Sequence, residues 1–153
     1  MRVSPMPAMD RVGTFGVSSS IAPEDELDTR KECGMERMCL TVPVRPGRRD
    51  ELVEFMREVD GPRQAELGAT ERRIGVTREV FFLAGGGDHD QLVMYLEGES
   101  LGDSLGAFIG SREPFDLWFK ERFAACTGVD LNDPPPLEPA ELLAAYAAEE
   151  VPA

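Results

Sequence analysis

Glu79 and Tyr95 are the two side chains of this sequence best suited to proton transfer, a carboxyl and a phenol, each within a run rich in β-branched and aromatic residues. Partial burial raises a glutamate pKa toward neutrality, so a Glu and a Tyr that converge on a semi-enclosed pocket form a general acid and base. Both are candidate catalytic residues. Arg37, Cys39, Arg78 and Glu97 are candidate substrate-binding residues beside them, with Phe82 and Trp118 as walls. A plainer reading uses the same residues: Glu79, Tyr95 and Glu97 hydrogen-bond with Arg37 or Arg78 at a seam between two copies.

Other chemistry-bearing residues point less far. His89 is the single histidine and sits between Asp88 and Asp90, but three adjacent ligands on a tight turn converge poorly on a metal, and a solvated turn fits better. Gly85-Gly86-Gly87 lacks both the spacing of a dinucleotide fingerprint and the Lys-Ser/Thr of a phosphate loop. Cys33, Cys39 and Cys126 form no C-x-x-C pair and read as reduced thiols. Phe115, Trp118, Phe119 and Phe123 recur at near-helical spacing, which is the pattern of a core stripe. Arg72 and Arg73 read as exposed helix-end cations. No cofactor or metal is expected.

Composition narrows the partners. The chain has 153 residues and a formal net charge of −13, which repels a phosphate backbone, so nucleic acid is not an expected partner. No apolar run approaches the roughly 18 residues of a membrane span, and the first residues lack the apolar stretch of a secretory signal. A soluble, cytoplasmic protein with no membrane partner is expected.

These residues need elements to position them. Met38, Leu40, Val42 and Val44 alternate with Arg37, Cys39, Thr41 and Pro43, the mark of a strand with one apolar face. After the turn Arg45-Pro46-Gly47, Leu52, Phe55, Met56 and Val59 give a helix, and Gly61-Pro62 bends it before a second segment that runs to Arg73. Residues 77–84 and 91–97 read as a hairpin about the glycine tract, and a second broken helix carries Leu101, Phe108, Phe115 and Phe123 on either side of Pro114. Residues 137–146 fit either a fourth strand or a short helix. Residues 1–34 read as a disordered leader, 35–147 as the domain and 148–153 as a tail.

Period 2 places Arg37, Cys39 and Thr41 on one sheet face with Val93, Tyr95 and Glu97. The weak alternation of its own strand leaves Glu79 on that face or the other, with the Tyr95 face preferred. The order strand, helix, strand, strand, helix, with or without a last strand, follows the βαββαβ ferredoxin-like pattern, an α+β fold with an antiparallel sheet. One face of such a sheet is left bare, so a homodimer is expected.

On Val44-Arg45-Pro46-Gly47, the strands 76–83 and 91–96, and Glu113-Pro114-Phe115-Asp116-Leu117-Trp118-Phe119-Lys120, the chain resembles the dimeric α/β-barrel superfamily, and a small bacterial family within it, over residues 36–145. That superfamily includes cofactor-free monooxygenases, haem-degrading enzymes, cyclases, mutarotases and proteins without activity, so the resemblance implies a fold rather than a reaction. Where a His-Pro and a later His are expected, this chain has Glu113-Pro114 and Trp118-Phe119, and no histidine-based role is carried over. The expected function is a cofactor-independent isomerase, cyclase or related lyase of metabolite biosynthesis, using Glu79 and Tyr95 on a small apolar metabolite between sheet and helix. The alternatives are a non-catalytic dimeric binding or assembly module and a cofactor-free monooxygenase.

Overall fold

A computed structural model describes residues 34–148. Strand β1 spans Glu36–Pro43, helix α1 Arg49–Asp60, α2 Gln64–Ile74, strand β2 Val76–Ala84, β3 Gln91–Gly98, helix α3 Leu101–Gly110 and α4 Pro114–Thr127. Both helical segments break where the sequence places a breaker. Gly61 and Pro62 separate α1 from α2, and Pro114, with no N–H to lose, opens α4 at its first turn.

The three strands form one antiparallel sheet in the order β1-β3-β2. Its register sets Leu40 opposite Met94 and Val42 opposite Leu92 on the face under the helices, and Cys39 opposite Tyr95 on the bare face. β2 joins the other side of β3, and a register shift between Val76 and Arg78 changes which of its residues look inward. Beyond that bulge Glu79, Phe81 and Leu83 pair with the inward Leu96, Met94 and Leu92. Arg78, Val80 and Phe82 pair with Glu97, Tyr95 and Val93.

The core lies between the inward sheet face and the helices. Phe55 and Phe123 are fully buried, and the Phe55 ring meets the rings of Trp118 and Phe119 edge-on at 5.5 and 5.0 Å. Edge-to-face pairs of this kind add about 0.5–1.5 kcal/mol each beyond the area they bury.

The hairpin turn depends on Gly85, whose φ is +92° and where an added Cβ would stand 2.1 Å from the His89 carbonyl oxygen. Gly85→Ala is expected to lower stability by about 1–3 kcal/mol, read as a drop in the thermal unfolding midpoint with the far-UV spectrum retained. An unchanged midpoint would show that the turn is looser than its dihedrals indicate.

The domain is thus α+β with a three-stranded antiparallel sheet. Residues 137–146 are neither strand nor helix among the described residues, so the last strand of a complete βαββαβ pattern is not formed. The segment runs along β1 and donates one ladder-like bond, from the Ala140 N–H to the Cys39 carbonyl at 2.8 Å. The expected leader, apart from Gly34, and residues 149–153 of the expected tail lie outside the described residues. No helix of the described residues is long and apolar enough to cross a membrane.

Candidate functional site

The bulge in β2 decides the site. It turns Glu79 to the helix side of the sheet, whereas Tyr95, in the middle strand, faces the bare side. The two therefore stand on opposite faces, and the expected Glu79–Tyr95 pair does not converge. The reason lies in the Val80-Phe81-Phe82-Leu83 run, which is apolar on both faces and conceals the phase of the strand.

The bare face brings Arg37, Arg78, Tyr95 and Glu97 together. Tyr95 donates its hydroxyl to Glu97 Oε1 at 2.8 Å, Arg78 Nε lies 3.9 Å from Glu97 Oε2, and Arg37 stands opposite Glu97 across the ladder. Burial and the Glu97 carboxylate both raise the Tyr95 phenol above its ordinary range, so it stays protonated and serves as a donor, not a base. Cys39 and Phe82 share this face. Trp118 lies elsewhere, against Phe55 and beneath the Arg63 guanidinium, whose carbon is 4.0 Å from the ring centroid. That cation–π contact makes Trp118 part of the helix layer and not a wall beside Glu79.

Glu79 has a different partner. Helix α2 carries Leu67, Glu71 and Ile74 at positions i, i+4 and i+7, so a carboxylate interrupts the stripe that packs on the sheet. Glu71 and Glu79 line the same apolar hollow, and each carboxyl acts on the titration of the other. Burial first, then the charge and hydrogen bond of Glu71, push the Glu79 carboxyl well above the usual range. Burial also raises Glu71, which Asp116 reinforces, while the hydrogen bond with Glu79 opposes it. Of the two, Glu79 is the one pushed further toward its neutral form, because two neighbouring carboxylates in an apolar setting do not both ionise readily. Glu71 Oε2 is sealed from solvent and has no hydrogen-bond partner among the described residues.

Two hollows meet at this pair. An open cleft of about 520 Å³ lies between helices α1 and α2 and strand β2, with Leu52, Met56, Leu67 and Phe81 among its walls and Arg57 and Gln64 at its polar margin. An apolar cavity of about 80 Å³ lies deeper, lined by Met94, Ile74, Phe108, Phe119 and Glu71. Glu79 and Leu67 border both, so these two side chains stand between them. The outer space falls in the range of roughly 300–1,000 Å³ typical of small-molecule sites, whereas the inner one holds a few waters or one small apolar group. Phe82, on the bare face, reaches the outer cleft only at the rim formed by the edge strand β2, and Trp118 is not among the lining residues of either hollow.

A second polar cluster fixes the helix that carries Glu71. Asp116 is fully buried at the start of α4 and accepts hydrogen bonds from Thr70 Oγ1 at 2.6 Å, from Ser111 Oγ and from Arg73 Nη2. Burial alone would raise Asp116, but these donors outweigh it and hold the carboxyl below the usual range. Lys120, also buried, donates to the carbonyls of Ile109 and Ser111, both at 2.9 Å, and to Asn132 Oδ1 at 3.1 Å. It ties the end of α3 to α4 and has no proton to spare for chemistry. His89 is exposed in the hairpin turn, and no cluster of three or more His, Cys, Asp or Glu suited to a metal occurs among the described residues.

Sequence reasoning passed over Glu71, Asp116 and Lys120. The signal was present in each case: an ionisable residue at a position whose i±3 or i±4 neighbours are apolar core. Set beside models of protein families, curated proteins and solved structures, the chain finds no match.

Proposed function

We propose that this chain is a cofactor-independent acid–base enzyme, an isomerase, cyclase or related lyase, acting on a small apolar metabolite held in the outer cleft. The observation that carries the proposal is the position of Glu79: a carboxyl that borders both an open cleft and a smaller apolar hollow, and shares the latter with the carboxyl of Glu71. The catalytic pair is thus Glu79 with Glu71, in place of Glu79 with Tyr95.

The chemistry follows from one proton shared by two carboxyls. Neutral Glu79 presents a donor to a carbonyl or enol oxygen in the cleft, and Glu71 behind it accepts or returns the proton as the charge moves. A turnover that takes a proton from one substrate atom and delivers one to another leaves the pair unchanged and requires no electron transfer. The apolar walls favour a substrate that is largely hydrocarbon, and the acidic pair disfavours an anionic group at the reacting end.

A dimeric assembly module is the second reading. It is favoured by the bare sheet face, where the Tyr95 hydroxyl is already donated to Glu97 and Arg78 stands beside the same carboxylate.

Native mass spectrometry of the full chain purified from its own host tests the first reading. The expected result is a discrete small molecule bound to the protein, with a carbon-bound hydrogen that the wild-type chain exchanges for deuterium in heavy water. A ligand-free protein, or a ligand that exchanges no hydrogen, would leave the assembly reading in its place.

A further inference from the structure

The two carboxyls at the junction of the hollows have no cation of their own. Neither Glu71 nor Glu79 forms an ion pair with a lysine or arginine among the described residues. Arg73 is held by Asp116, Arg57 by Glu54, and Lys120 by the carbonyls of Ile109 and Ser111. Glu71 Oε2 is sealed from solvent and accepts no hydrogen bond within the described residues. A carboxylate oxygen buried without a donor is costly, and a donor that also carries positive charge relieves the cost most fully.

We propose that this junction binds an organic cation, the protonated nitrogen of an aliphatic amine, with the ammonium group beside Glu79 and Glu71 and the hydrocarbon body in the outer cleft.

The walls select the ligand. An ammonium group brings three N–H donors and one charge to a pair of carboxyls, and little else around them needs satisfying. A hard metal ion is a poorer fit, because it requires about six or more oxygen ligands, whereas apolar side chains surround the pair and no group of three or more metal-ligating residues occurs among the described residues. Phe108, Phe115 and Phe119 border the inner hollow and Phe81 the outer, and aromatic rings attract a cation where they would repel an anion. Size agrees. The inner space of about 80 Å³ admits a group the size of two or so waters, at roughly 30 Å³ each, while Leu52, Met56 and Leu67 of the larger cleft receive the hydrocarbon.

The inference rests on the metabolite lying in the outer cleft, as proposed above, and gives that metabolite a basic nitrogen at its reacting end. A nitrogen that arrives uncharged ends in the same pair, since Glu79 gives it the proton and keeps the negative charge. A nitrogen that arrives as ammonium displaces the Glu79 proton to solvent. Affinity for an ammonium ion therefore rises with pH through the window in which Glu79 ionises. Around the pair, α1 brings Arg57 and Asp60 to the cleft margin, and α4 brings Asp116, whose charge Arg73 offsets. The α3 and β3 residues that border the inner hollow are apolar.

Calorimetry of the full chain with three probes of one length, n-hexylammonium, n-hexanol and n-hexanoate, tests this at neutral pH. Hexylammonium is expected to bind about tenfold or more tightly than hexanol, with hexanoate weakest, and to release protons, seen as a heat that varies with the ionisation enthalpy of the buffer. Glu79→Gln should remove the proton release and most of the preference for the cation, and Glu71→Gln should weaken the preference, both with the far-UV spectrum retained. Chemical-shift changes should centre on Leu67 and Phe81. Equal binding of hexanol, a cation preference unchanged in both variants, or shift changes scattered over the acidic surface would each overturn the proposal. The two readings fail separately: a chain that exchanges the hydrogen of its metabolite yet prefers hexanol keeps its acid–base chemistry and loses the cation site, whereas one that prefers hexylammonium and exchanges nothing keeps the cation site and loses the chemistry.

Discussion

Glu79→Gln is expected to slow hydrogen exchange of the bound metabolite by about 10²–10⁴-fold, the usual contribution of one positioned acid or base, while leaving the fold intact. Glutamine keeps the volume and a donor but has no proton to release, so binding survives and proton transfer does not. The same variant separates a catalytic from a packing role through its pH dependence. Unfolded Glu79 ionises in the ordinary carboxylate range, whereas the folded carboxyl, desolvated and beside Glu71, ionises only well above it. Between those limits the folded chain holds a proton that the unfolded chain has lost, so wild-type stability falls as pH rises through that window. Glutamine removes that slope. The variant should therefore match the wild type near the acid end and gain on it steadily as pH rises above the ordinary carboxylate range. Denaturant unfolding at a series of pH values reads this directly, and parallel curves for the two proteins would contradict the proton assignment.

Asp116→Ala is expected to lower stability by about 3 kcal/mol, equivalent to a melting point lower by on the order of 10 °C. The carboxylate is fully buried and accepts from Thr70, Ser111 and Arg73, so its loss leaves two hydroxyls without their acceptor and removes the ion pair that holds α2 to α4. The Arg73 side chain is 41% exposed and recovers water, which keeps the loss at the lower end of the range for broken buried pairs. Because Asp116 is held below the usual range, its contribution is complete above the ordinary aspartate pKa and disappears as pH falls through its folded value. Wild type and variant should thus converge in acid. A variant as stable as wild type at pH 7 would mean that the three donors find water instead.

The first strand, both broken helices and the hairpin were legible because each carries a strong local signal: alternation in Met38 to Val44, a helical stripe from Leu52 to Val59, and Pro or Gly at each break. The phase of β2 was not. A single bulge between Val76 and Arg78 inverts every following residue, and four consecutive apolar side chains give no alternation from which to detect it. That one residue moves Glu79 from the Tyr95 face to the helix face and replaces its partner. Residues 137–146 were ambiguous for another reason: Ala and Leu favour a helix, Pro134 to Pro136 and the β1 edge favour extension, and neither tendency has enough local partners to win. The bare-face group of Tyr95, Glu97 and Arg37 was readable from parity alone, because β1 and β3 alternate cleanly, whereas the place of Arg78, in β2, was hidden with the phase of its strand.

The contact between Glu71 and Glu79 is the feature on which the enzymatic reading rests, and a carbon-13 NMR titration of the glutamate side-chain carboxyls tests it most directly. In the wild type, the Glu79 carboxyl should titrate well above the ordinary glutamate range, and in Glu71→Gln it should move back toward that range, keeping only the part of the shift that burial causes. A Glu79 that titrates as an ordinary glutamate, unmoved by the change at Glu71, would contradict the shared proton and the acid–base site built on it.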